Sequence, residues 1–281
     1  MKRIKNVVLF YNSKTRKALT YAAAIERRLK GAGAKVAKIC VNDATYCGFK
    51  TADAGVAVGG DGTVLFAARH VTNRGIPVLG INAGGLGFLS GIEKNEFLCS
   101  VDDFLAGGFR KIKRNLLSVS VVREGKTMSG PVPALNDCVI RSHESRAFTL
   151  RASFGGQFLS EYFGDGLIIS TPSGSTAYSL AASGPIAMPD LEVVLLTPIC
   201  PHTLTHRPIV LSAAGELNVS VVGGSSGPQL VSLSIDGQEN FLLEPGDAVV
   251  VRKHPRSFEM LAPRNFSYLD ILRRKLSWGE R

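Results

Sequence analysis

The chain has 281 residues, 45% of them hydrophobic and 20% charged, with a net charge of +10. That size supports one large or two ordinary domains with real cores, and that balance excludes a disordered or membrane-embedded chain. The positive excess favours anionic partners, but the basic residues are not interleaved with aromatics, so nucleic acid is not an expected partner.

No membrane is expected either. The longest apolar runs, such as residues 191–196, are broken by Glu192 and Pro198, far short of a membrane span. The apolar stretch before Asn12 is too short for a signal-peptide core. Five scattered cysteines (Cys40, Cys47, Cys99, Cys138, Cys200) form no C-x-x-C pair. This usage argues against a disulfide framework or structural zinc and for a reducing cytoplasm.

In chain order, residues 7–11 read as a strand and 16–30 as an amphipathic helix stopped by Gly31 and Gly33. Strands follow at 35–41, 55–58 and 77–81, with a helix over 63–73 between the last two and another over 94–105. Alternating strands and helices predict a parallel sheet, whose ligands gather at the strands' carboxyl ends. At one such end stands Gly59-Gly60-Asp61-Gly62-Thr63. Its glycines allow positive φ and close approach of a bulky ligand, and the helix start behind them suits a phosphate. A carboxylate would repel that phosphate, so Asp61 is assigned to the acceptor hydroxyl of a phosphoryl transfer. The next strand ends in a second cluster, Asn82-Ala83-Gly84-Gly85-Leu86-Gly87-Phe88, expected to form another wall of the same phosphate pocket.

From about residue 116 the pattern turns to β: runs at 117–123, 134–141, 148–154, 167–170, 191–197, 216–222, 229–235 and 248–252. Turn formers between them predict a second, mainly antiparallel all-β domain. One helix is expected from Ser175 or Thr176 through Ala182, and residues 268–278 read as a terminal helix packing back on one of the domains. The boundaries drawn are 1–113 for the α/β N-terminal domain, completed by 264–281, and 114–263 for the β domain.

Three look-alikes fail on context. Gly125-Lys126-Thr127 lacks the first glycine of a P-loop. Gly223-Gly224-Ser225-Ser226-Gly227 spells a nucleophile elbow, but Pro228 follows instead of a helix. His202 and His206 have metalloprotease spacing without its glutamate, between Pro201 and Pro208. No protein-ligated metal centre is expected.

Two further polar interruptions remain: Asn136-Asp137, and the long run Asp165-Gly166-Leu167-Ile168-Ile169-Ser170-Thr171-Pro172-Ser173-Gly174-Ser175-Thr176-Ala177-Tyr178-Ser179. The second offers hydroxyls, backbone N–H groups and a tyrosine able to stack on a purine. With Gly59–Thr63 and Gly80-Ile81-Asn82…Gly87-Phe88-Leu89, these segments closely resemble the NAD kinase family in order and spacing, over nearly the whole chain. Gly-Gly-Asp-Gly alone is shared with lipid and sugar kinases; the long run is specific to NAD kinases.

The resemblance implies ATP-dependent phosphorylation of the 2′-hydroxyl of NAD's adenosine ribose, giving NADP. ATP would be the donor and NAD the acceptor, with Mg²⁺ or another divalent cation held mainly by the nucleotide phosphates. Asp61 would be the catalytic carboxylate, with Gly59, Gly60, Gly62 and Thr63 along the phosphates. Asn136 and Asp137 would hold the ribose and adenine region, and Asp165 an amide or amino group of the dinucleotide. Thr176, Ala177, Tyr178, Ser179, Leu180 and Ala181 would frame the adenosine half, with Gln238 and Arg146 nearby. The family often has Asn-Glu where this chain has Asn136-Asp137, and a basic residue where it has Phe163. A homodimer or homotetramer is implied. A lipid or sugar kinase sharing the glycine turn, and a non-enzymatic dinucleotide sensor, are the rival readings.

Overall fold

A computed structural model describes residues 3–41, 51–85, 87–144, 146–223 and 230–278. Cys47, Leu86 and residues 224–227 of the glycine–serine loop lie outside the described residues. The chain divides into two compact units, residues 1–113 with 258–281, and residues 114–257.

In the first unit the elements are β1 (Asn6–Tyr11), α1 (Arg16–Gly31), β2 (Lys35–Cys40), β3 (Ala54–Gly59), α2 (Asp61–Val71) and β4 (Val78–Asn82). Then come β5 (Ile92–Glu93), α3 (Lys94–Ala106) and β6 (Arg110–Arg114). The second unit holds β7 (Leu117–Arg123), β8 (Lys126–Ala134), β9 (Asp137–Ser142), β10 (Phe148–Phe154), β11 (Gln157–Gly164) and β12 (Gly166–Ser170). It continues with α4 (Tyr178–Ala181), β13 (Val193–Ile199), β14 (Ile209–Ser212), β15 (Leu217–Gly223), β16 (Val231–Ile235), β17 (Glu239–Leu243) and β18 (Ala248–Lys253). The chain returns to the first unit with β19 (Phe258–Ala262) and α5 (Tyr268–Leu276).

The first unit's sheet runs β2-β1-β3-β4-β19-β6, with β5 also on β4. The β1–β2, β1–β3, β3–β4 and β4–β19 pairs are all parallel. β3 and β4 are buried along their whole length, in keeping with their apolar and glycine sequence up to Asn82 at the end of β4. On α1, Ala18, Ala22, Ile25 and Leu29 form the buried stripe, and on α3 Phe97, Val101, Phe104 and Leu105 do the same. The strand order reverses between β1 and β3, so the carboxyl end of β3 lies beside the topological switch point. The sequence reading left residues 258–262 with the β domain; they are instead a strand of this sheet, parallel to β4. α5, capped by Ser267, belongs to the first unit and buries Ile271 and Leu272.

The second unit is a sandwich of two antiparallel sheets, β11-β10-β15-β18-β7-β8 and β14-β13-β12-β9-β16-β17. Their inner faces share one core that includes Val119, Leu150, Val219 and Val251 from one sheet and Ile140, Ile169 and Leu233 from the other. Four of its strands were not expected: β8, β11, β14 and β17. Each is a sheet edge, and so is the unanticipated β6 of the first unit. Most of these edge strands are half solvated and rich in polar or proline residues, so they show no clear apolar run; β14, Ile209–Ser212, is apolar but only four residues long.

Candidate functional site

In the first unit, Gly60 is the N-cap of α2 and makes no side-chain cap hydrogen bond; Asp61 opens the helix. The glycines of this turn do not use the positive φ that glycine allows. Gly59 is needed for closeness, because a Cβ there would fall on Thr63 Oγ1. Gly60 and Gly62 face open space, with no atom near the place a Cβ would take. Side chains at those two positions would fill space outside the turn rather than disturb the turn itself.

Asp61 is held by the glycine loop that follows β4. Oδ2 accepts from the backbone N–H of Phe88 at 2.8 Å. Oδ1 accepts from the N–H groups of Leu89 at 3.0 Å and Ser90 at 3.1 Å, and from the Ser90 hydroxyl at 3.1 Å. The two glycine loops therefore meet through the carboxylate itself. Gly87 is explained by this contact, since a Cβ there would strike Asp61 Oδ1. Gly80 leaves room for the Leu89 carbonyl.

In the second unit, alternation along β9 sends Cys138 and Ile140 into the core and Asp137, Val139 and Arg141 to the outer face. These three, with Ser234 of β16 and Asn240 of β17, floor a cavity of about 480 Å³. Asn136, Ala177, Tyr178, Asp236 and Gly237 complete its lining. Tyr178 is 41% exposed, so a broad ring face remains for stacking.

The run Asp165–Ser179 docks on the Asn136-Asp137 turn through Thr171. The Thr171 N–H donates to the Asn136 carbonyl at 2.8 Å, and Thr171 Oγ1 to the Leu135 carbonyl at 2.6 Å. Gly174 sits so close to Asn136 that a Cβ would overlap its carbonyl. Several hydroxyls expected to meet a ligand are turned inward. Ser175 Oγ donates to Pro172 O and accepts from Ala187 N–H, and Ser179 Oγ pairs with Thr197 Oγ1. Neither Ser175 nor Thr176 caps a helix: a 3₁₀ turn over Gly174–Thr176 and the four-residue α4 stand where one longer helix was expected. Ser170 and Ser173 keep buried hydroxyls without a partner among the described residues, and Ser170 lies directly opposite Asp137 in the ladder.

Asn136, Asp137, Ala177 and Tyr178 are thus brought together, while other anticipated residues stand apart from the lining. Asp165 precedes Gly166, which pairs with Arg141, whereas Asp137 pairs with Ser170 at the opposite end of β12. Strand rise alone puts that end about 13 Å away. Arg146 is exposed ahead of β10, Gln238 closes the β16–β17 turn, and Thr176, Leu180 and Ala181 do not reach the floor.

Asp236 was missed as a site residue. With Gly237 it forms a tight turn with both φ positive (49° and 64°), closed by Gln238 N–H to the Ile235 carbonyl at 2.9 Å. Asp-Gly between apolar strands signals such a hairpin, and that signal was in the sequence. What its carboxylate does was not. It accepts the backbone N–H groups of Leu135 (2.8 Å), Asn136 (2.8 Å) and Asp137 (3.1 Å), and so shapes the Asn-Asp turn.

Asp137 is 6% exposed. Burial, then the neighbouring Asp236 charge, push its pKa up to about 7. Near neutral pH a fraction of Asp137 is a neutral acid and can donate a hydrogen bond as well as accept one. The sign of the stability effect follows. Between an unfolded value near 3.9 and about 7, the folded state keeps a proton that the unfolded chain has released, so stability falls as pH rises through that window. Asp137→Asn is expected to remove this slope and to stabilise the protein at pH 8 by about 2–4 kcal/mol, measured by urea denaturation at pH 5 and pH 8. An unchanged slope would contradict the assignment.

An α/β unit with a phosphate-type glycine turn at its switch point, and a β-sandwich unit with a nucleoside-sized polar cavity, define a phosphotransferase that handles nucleotides. Residues 2–109 match the ATP-NAD kinase N-terminal domain and residues 135–262 the ATP-NAD kinase C-terminal domain. The chain therefore belongs to the NAD kinase family. It is 44% identical over 231 residues to the NAD kinase of Geobacter sulfurreducens, covering 82% of this chain and 80% of that one. With the NAD kinase of Symbiobacterium thermophilum it shares 42% identity over 223 residues, 79% and 77% of the two chains. Among solved structures, yeast NADH kinase complexed with NADH superposes with a TM-score of 0.87 at 22% identity, covering 100% of this chain and 89% of that one. An Archaeoglobus fulgidus NAD kinase in complex with ATP gives 0.79 at 22% identity, covering 98% and 100%. At that identity the two structures speak for the fold.

Proposed function

We propose that the chain phosphorylates the 2′-hydroxyl of NAD's adenosine ribose with ATP as donor, and that the second unit's cavity receives the adenosine. The observation that carries this is the cavity lining: Tyr178 offers a ring face, while Asn136, Asp137 and Asp236 offer polar groups along one wall. A nucleoside needs that pairing of stacking surface and ribose-directed hydrogen bonds. The open faces of Gly60 and Gly62 leave room for phosphate oxygens to come close to the α2 N-terminus.

In the transfer, the ribose oxygen bonds to the γ-phosphorus as the bond to the β-γ bridging oxygen breaks. A sugar hydroxyl is far less acidic than a carboxylic acid, so Asp61 cannot remove the proton beforehand. In a loose transition state the proton becomes acidic only late, and Asp61 receives it as the O–P bond forms. Oδ1 already accepts three donors and Oδ2 accepts the Phe88 N–H, so Oδ2 has the spare acceptor capacity to receive the proton. A divalent cation, when bound, would neutralise charge on the phosphates. The net charge of +10 suits two polyanionic substrates. A homo-oligomer and a cytoplasmic location complete the reading.

One assay tests it: purified protein with Mg²⁺, crossing ATP, GTP and polyphosphate as donors with NAD and NADH as acceptors. NADP formation from ATP and NAD is the expected result. Phosphorylation of diacylglycerol or a hexose, with none of NAD, would overturn it in favour of the lipid or sugar kinase reading. Tight NAD binding without transfer from any donor would mark a sensor.

A further inference from the structure

The glycine turn is only half of the arrangement around Asp61; the other half is a buried serine that no sequence motif singles out. Ser90 is 0% exposed, and its hydroxyl donates to Asp61 Oδ1 at 3.1 Å beside its own backbone N–H to the same oxygen. With the N–H groups of Phe88 and Leu89, four donors from three consecutive residues converge on one carboxylate. A carboxylate at a helix start could turn about its side-chain bonds; four donors remove that freedom.

The loop is itself held. Lys275 Nζ of α5 lies 4.4 Å from the centre of the Phe88 ring, and the Tyr268 ring stands 6.1 Å from it. On the other side, the glycine at position 80 lets the Leu89 carbonyl and the Ser90 backbone lie against β4. The terminal helix therefore backs a loop that aims a carboxylate.

We infer that Ser90 is a positioning residue for the phosphoryl transfer: with the Phe88–Ser90 amides it fixes Asp61 so that Oδ2 alone faces the acceptor hydroxyl. This rests on the reading of Asp61 as proton acceptor. Ser90 is fully buried with its hydroxyl on Asp61, so its loss acts on turnover and not on binding.

The experiment is Ser90→Ala and Asp61→Asn in the full chain, with kcat, KM for NAD, KM for ATP and melting temperature measured for each. Ser90→Ala is expected to lower kcat about tenfold, with both KM values within about twofold of wild type. A kcat within about twofold of wild type, or a fall matched by an equal change in either KM, would overturn the inference. If the alanine variant loses its folding transition, Ser90→Cys, close in volume but a much weaker donor, replaces it under the same two criteria. The two readings separate cleanly. An inactive Asp61→Asn beside a normal Ser90→Ala sinks the positioning role alone, whereas a fully active Asp61→Asn sinks the proton-acceptor role on which it stands.

Discussion

Asp61→Asn is expected to lower kcat by about 10²- to 10⁴-fold while NAD binding is kept. The asparagine amide can still orient a hydroxyl but cannot take its proton, so the loss falls on the transition state. The loop should survive the change. An Asn oxygen in the place of Oδ1 keeps three of the four donors, leaving one mismatch between the Asn amino group and the Phe88 N–H. Loss of the negative charge at the start of α2 costs only about 0.3–1 kcal/mol of stability. Steady-state assay with calorimetric titration of NAD checks both halves. Near wild-type turnover would show that Asp61 has another task.

The second large effect is expected at Asp236. Asp236→Ala removes the acceptor of three backbone N–H groups, two of them buried. At about 1–3 kcal/mol for each buried donor left unpaired, the second unit loses several kcal/mol, and the Asn136-Asp137 turn loses its shape. KM for NAD should rise at least about tenfold, with the melting temperature falling by several degrees. Asp236→Asn is the informative companion, because its single carbonyl oxygen can keep two of the donors at Oδ1 but meets Leu135 N–H with an amino group. It should fall between wild type and alanine. Equal stability and KM in all three proteins would mean that the carboxylate does not shape the pocket. Removing the Asp236 charge also lifts one of the two causes that raise the Asp137 pKa, so the stability slope below pH 7 should shrink in both variants.

The function was legible because its residues interrupt their surroundings. Asp61 among glycines, Asn136-Asp137 opening an apolar strand, and the hydroxyl-rich run through Tyr178 are polar islands that no packing argument requires. Their roles were less legible. Ser175 and Ser179 look like ligand-facing hydroxyls, yet both are spent on the protein's own backbone and neighbours. Hydroxyl residues serve tight loops and ligands alike, and spacing cannot tell the two apart. Asp236 had the opposite fate: it reads as an ordinary turn residue and proves to organise the pocket wall from about a hundred positions away in the chain.

By itself the sequence determined the elements whose periodicity answers to a single buried face: the fully buried β3 and β4, the stripes of α1 and α3, and the central sandwich strands β7, β10 and β15. It also determined the family, because the long segment from Asp165 to Ser179 is shared in order and spacing. Only the tertiary structure decided which edge strands complete the sheets, that residues 258–262 return to the parallel sheet, and that the loop after β4 grips Asp61. The physical reason is common to all three. A buried face writes its period along the chain, whereas an edge pairing, a returning strand or a hydrogen bond across 29 residues depends on which surfaces meet after folding.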